Sequence, residues 1–228
     1  QATLSKKSMI AVVASLLLTG APLMVQAAQI TPNPNPAGST LDIINDPSAV
    51  NNATPYSNGG TINIDANSTL TNSFGATLNN FDPATNTPGT LTIFGTLVNA
   101  GTLNNVTGGG VYNCCYGGTL TNTGTLNNFA GARLATWHLS NTGTLNNFAG
   151  ASWSYTEGIV VNSIGGTLNN FGTVVGGQDT LTNGGTLNNF GSWQDSFGSS
   201  LTNSVGATLN NHGVLGNYYG NLANAGKV

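Results

Sequence analysis

Residues 119–129 read Thr-Leu-Thr-Asn-Thr-Gly-Thr-Leu-Asn-Asn-Phe, and residues 138–148 read His-Leu-Ser-Asn-Thr-Gly-Thr-Leu-Asn-Asn-Phe. The second stretch restates the first 19 residues later. Working outward, Thr-Leu-Asn-Asn occurs seven times, with its leucine at Leu78, Leu103, Leu126, Leu145, Leu168, Leu187 and Leu209. The intervals are 25, 23, 19, 23, 19 and 22 residues. The next residue is Phe81, Val106, Phe129, Phe148, Phe171, Phe190 or His212. A weaker Leu-x-Asn element precedes each copy, at Leu70/Asn72, Leu97/Asn99, Leu120/Asn122, Leu139/Asn141, Leu181/Asn183 and Leu201/Asn203, with Val160/Asn162 in the remaining place. From this element to the next repeat leucine the distance is 6 or 8, never 7. Strand side chains alternate with period two, so an even offset keeps both apolar residues on one face. The two-residue insertions within 72–78, 162–168 and 203–209 therefore lengthen a bend without reversing the pattern. Helical stripes are missing after residue 40, and abundant Gly and Asn disfavour helix.

One such unit cannot bury its own Leu and Phe. Units stacked about 4.8 Å apart place the leucines in one column and the aromatics in another. The fold class predicted is all-β: a single-stranded parallel β-solenoid (β-helix), expected right-handed, with coils of about 20 residues. Seven coils give a rod of roughly 30 Å. Asn80, Asn105, Asn128, Asn147, Asn170, Asn189 and Asn211 are the candidates for an amide ladder running along it. Low charge fits stacking, because like charges one rung apart repel.

Gly 32, Asn 34 and Thr 31 make up over two fifths of the 228 residues, while charged residues are 5% against about 25% in an average domain. That balance excludes a coiled coil and an ordinary helical enzyme. Lys6-Lys7, the apolar run Met9 to Leu18 and the small residues of Val25-Gln26-Ala27 form a secretory signal, so 1–27 is expected to be a signal peptide. Beyond it Arg133 and Lys227 face seven acids, a net of −5, which argues against nucleic acid or anionic lipid as partner. No later stretch is apolar enough to span a bilayer as a helix. Residues 28–60 are expected to be a Pro/Asn-rich linker and N-terminal cap, and 61–228 the coils. Gln1 stands where an initiator Met belongs and Val228 falls where the next repeat leucine belongs, so the chain is expected to be a fragment of a longer fibre.

A signal segment, a polar N-terminal stretch and degenerate Gly/Asn/Thr-rich coils resemble bacterial β-helical surface proteins, in the style of autotransporter passenger domains and filamentous-haemagglutinin-type adhesins. The resemblance covers about residues 61–228. It implies a secreted or cell-surface protein with a structural or adhesive role, bound to glycans, a host or matrix surface, or its own copies.

No catalytic residue, cofactor or metal is assigned. His138 and His212 lack a nucleophile motif, and His212 replaces Phe at a repeat position as a stacked residue. Adjacent Cys114 and Cys115 make a strained vicinal disulfide or two free thiols, a local feature rather than a framework. Glu157, Asp179 and Asp195 are scattered, so the paired carboxylates of a polysaccharide-cleaving β-helix are not visible. Segments that vary in a regular scaffold are where binding surfaces arise, and here they carry Trp137, Trp153, Tyr155, Trp193 and Phe197. Trp137, Trp153, Tyr155 and Trp193 are the candidate glycan contacts; the competing role is packing. With Leu inward, Thr and the first Asn point outward. Ranks such as Thr125/Asn127 then resemble the Thr-x-Thr face of ice-binding solenoids, which makes ice a further candidate ligand.

Overall fold

The computed structural model describes residues 27–113 and 117–228; the segment expected to be a signal peptide, save its last residue, and the Cys114-Cys115 pair lie outside them. The chain winds into a parallel β-solenoid of nine coils and three walls. Each coil contributes one strand to each wall in fixed order. The first wall runs from Thr40–Ile43 to Val214–Tyr218 and has no shared sequence motif. The second runs from Ala49–Asn51 to Asn221–Asn224 and holds the Leu-x-Asn elements. The third runs from Tyr56–Ser57 to Thr208–Asn211 and holds the Thr-Leu-Asn-Asn elements.

Like lies on like. Leu103 pairs with Leu78 on one side and Leu126 on the other, and the same register holds to Leu209. Every leucine of that column is 0–1% exposed. In the second wall Leu70, Leu97, Leu120 and Leu181 are wholly buried, as is Val160 in the same file. Full burial of one such side chain contributes about 1.5–3 kcal/mol. No coil gains it alone, because the walls of a leucine's cage belong to the coils above and below. The long bends obey the expected parity: Leu70 and Leu78 both face inward around the inserted Ser73–Ala76 segment, whose tip Phe74 is 93% exposed. The short bends are tighter. A Cβ on Gly124 would meet the Gly101 carbonyl at 2.1 Å, so the two-residue bend after Asn122 requires glycine there.

The coils begin earlier than residue 61. Thr40–Ile43, Ala49–Asn51 and Tyr56–Ser57 already pair in register with the three walls, so 40–60 is the first coil and not a separate cap. Its strands lack the repeat motif because Tyr56 takes the place of the leucine. Capping falls to the preceding segment: Ile30 and Asn35 are buried, Gln29 bridges Val50, and Tyr56 donates from its hydroxyl to the Pro32 carbonyl at 2.6 Å. The 25-residue interval after Leu78 is a small hairpin in which Thr77–Asp82 continues past its neighbours and pairs antiparallel with Thr87–Pro88.

Candidate interaction surface

Alternation along the third wall puts Leu and the second Asn of each Thr-Leu-Asn-Asn inward, and Thr and the first Asn outward. The second Asn forms the expected ladder. Asn80 donates to Asn105, Asn105 to Asn128, Asn128 to Asn147, Asn147 to Asn170, Asn170 to Asn189 and Asn189 to Asn211, at 2.7 to 3.0 Å. All of these are buried except Asn211, which is exposed. The other amide hydrogen reaches a main-chain carbonyl of the later coil, as from Asn105 to Arg133 and from Asn128 to Ser152. With both hydrogens engaged, the orientation of each amide is fixed.

Two further ladders were not foreseen. The asparagines of Leu-x-Asn form a buried file from Asn51 through Asn72, Asn99, Asn122, Asn141, Asn162, Asn183 and Asn203 to Asn224, with bonds of 2.7 to 2.8 Å. The first Asn of Thr-Leu-Asn-Asn forms an outer file in which Asn104 donates to Asn79, Asn127 to Asn104, and so on to Asn210, at 2.8 to 2.9 Å. Donors in both buried files point to the later coil; in the outer file they point to the earlier one.

The outward positions of this wall continue with the residue after the motif. Phe129, Phe148, Phe171, Phe190 and His212 stack in one file, with centroids 5.0, 6.4, 5.0 and 5.1 Å apart and planes within 12°. Phe81 leaves the file for the hairpin. The face thus carries three parallel columns: a hydroxyl, an amide and, over five coils, a ring. His212 is the one ionisable group among them. Stacking covers the ring faces, so the solvent-facing part of the ring column is its edges.

The candidate glycan contacts fall elsewhere. Trp153, Tyr155 and Trp193 are 1%, 0% and 0% exposed, so they are core residues and not a sugar platform. The reason is parity. Trp153 pairs with Leu134 and Val174, and Trp193 with Val174 and Leu215, all at the inward position of the first wall. Trp137 is half-buried at a corner and meets His138 edge-on at 6.0 Å. Phe197 is 67% exposed and stacks on Tyr219 at 5.2 Å.

The acids also depart from expectation. Asp179 and Asp195 converge inside the solenoid, where they are 5% and 1% exposed. Glu157 stays on an exposed corner. Among the described residues no group of three or more His, Cys, Asp or Glu could hold a metal ion, and no helix is long and apolar enough to cross a membrane.

No protein-family model, curated protein or solved structure matches this chain. Its likeness to adhesins therefore rests on repeat style and on the architecture described above.

Proposed function

We propose that this is a non-catalytic structural and adhesive repeat protein of the cell surface or extracellular matrix, exported by its signal segment in the manner of autotransporter passengers and filamentous-haemagglutinin-type adhesins. The observation that supports this is the outer face of the third wall: seven Thr/Asn ranks in strict register, uncharged apart from His212, with amides held in one orientation by their neighbours. A preorganised polar array of this kind contacts an extended partner without first ordering its own side chains. Because the rings cover each other's faces, glycan contact on this wall rests on Thr hydroxyls and Asn amides rather than on stacking. The paired carboxylates are enclosed, which leaves a cleaving site without access to substrate.

The test uses beads coated with the protein and scored for attachment to cells, to neutral polysaccharide films and to each other. Thr125→Lys with Thr167→Lys places bulk and charge on alternate ranks while the core is untouched. Attachment is expected to fall severalfold with the circular dichroism unchanged. Wild-type attachment by that variant refutes the assignment of this face. Register alone also favours a second reading, ice binding through the Thr/Asn ranks; absence of thermal hysteresis in purified protein dismisses it.

A further inference from the structure

The inward end of the first wall changes character along the rod. Ile43, Ile64 and Ile93 occupy it in the early coils, then Asn113, and later Tyr155, Gly176 and Asp195. The late positions form a polar knot in an otherwise apolar interior. Tyr155 donates from its hydroxyl to Asp195 Oδ1 at 2.5 Å. The Trp193 indole N–H is shared between the Tyr155 oxygen at 3.0 Å and the same carboxylate oxygen at 3.1 Å. Asp179 Oδ2 accepts from the Gly177 amide, and Asp179 Oδ1 is buried with no hydrogen-bond partner. Gly176 separates the two acids. A Cβ there would lie 2.6 Å from an oxygen of each carboxylate and 2.8 Å from Tyr155 Cζ, so the missing side chain is what admits both.

Nothing cationic offsets them. The strands around the knot, at 152–154, 159–162, 173–177, 180–183, 192–196, 200–203 and 214–218, contain no Lys, Arg or His. The ionisable groups facing the acids are each other and Tyr155, with Glu157 exposed at a neighbouring corner. Two enclosed like charges without a counter-ion are strongly disfavoured, and the usual resolution is to keep a proton.

We propose that Asp179 and Asp195 form a proton-binding site in the solenoid core, with the proton held on Asp179, so that this stretch of the rod tightens in acid and loosens towards neutrality. Asp195 has two donors to support its charge; Asp179 has an orphaned oxygen, which makes it the holder. Burial pushes the Asp179 carboxyl up to about 6, with the neighbouring Asp195 charge adding to it, against hydrogen bonds from the Gly177 amide and Ser199 that pull the other way. Burial raises Asp195 also, against its bonds from Tyr155 and Trp193. Burial foremost, then the Asp195 charge, raises the Tyr155 hydroxyl well above its ordinary range, so it stays a donor.

The sign follows directly. A carboxyl raised in the folded state binds more protons folded than unfolded between about pH 4 and 6, so its contribution is complete below that window and is lost as pH rises through it. At most about a hundredfold in the opening equilibrium is at stake, from a rise of about two pH units. Asp65 has the opposite sign: the Ser68 hydroxyl bonded to it lowers its carboxyl, whose support fades as pH falls. The informative quantity is therefore a difference between the parent and a variant.

The parent chain and Asp179→Asn are unfolded thermally at about pH 4.5 and pH 7.5, values either side of the Asp179 transition. The parent is expected to lose several degrees more than the variant on going to the higher pH. Equal pH dependence in the two overturns the proposal. Should Asp179→Asn fail to fold, carboxyl 13C resonances of the unmutated protein decide: an aspartate titrating above about 5 supports the site, and all aspartates titrating near their ordinary 3.9 overturns it. Neither outcome bears on attachment through the third wall.

Discussion

Asn127 and Asn128 are adjacent, chemically identical and on opposite faces of one strand, which makes them a controlled comparison for what the ladders contribute. Asn128 is wholly buried; it accepts from Asn105 at 2.8 Å and donates to Asn147 at 2.8 Å and to the Ser152 carbonyl at 2.9 Å. Asn128→Ala strands one amide hydrogen of Asn105 and the amide oxygen of Asn147 inside a corner that no other side chain reaches. Each orphaned buried group costs about 1–3 kcal/mol, so the substitution costs about 2–6 kcal/mol. Asn127 makes one bond to Asn104 and receives one from Asn146, but its file is half-exposed. Water replaces both partners after Asn127→Ala, and the cost stays under about 1 kcal/mol. For a chain of this size 1 kcal/mol moves the melting temperature by about 2–4 °C, so the expected drops are about 10 °C and under about 4 °C. Thermal unfolding followed by far-ultraviolet circular dichroism reads both. Equal drops, or a larger drop for Asn127→Ala, would refute the claim that the buried amide files hold the corners together.

Other outcomes follow from the same packing. Leu145→Ala, in the middle of the leucine column, is expected to lose about 2–5 kcal/mol in denaturant unfolding, while the neighbouring outward Thr144→Ala stays within about 0.5 kcal/mol. Gly176→Ala drives a methyl against Tyr155 and both carboxylates; a loss of about 1–3 kcal/mol and altered Trp193 fluorescence are expected. His212→Phe extends the ring column with an apolar member and should raise stability by about 0.5–1 kcal/mol in the same melts.

The third wall was legible in the sequence because one motif carries it. Leu and Asn at fixed spacing, together with the even interval to Leu-x-Asn, were enough to place the columns, the inner ladder and the neutral bends. The first wall was not legible, since its inward residues range from Ile62 through Val111 to Trp193 and share only burial. The same gap misplaced the aromatics. Trp153 and Tyr155 are two apart, as are Trp193 and Asp195, which is the inward period of a strand; abundance in variable segments was the weaker signal. The first coil was missed because Tyr56 stands where a leucine repeats. The convergence of Asp179 and Asp195 depends on Gly176 lying between them across strands, and linear spacing does not encode that.

The amide files give the rod a sense of direction. A break between any two coils in the body of the rod bares N–H groups of both inner files on one stump and naked oxygens on the other, so the stumps are unlike. They rejoin head to tail, and a reversed coil meets donor with donor. A shaft built this way is chemically an arrow: its two ends, however similar in shape, ask for different partners.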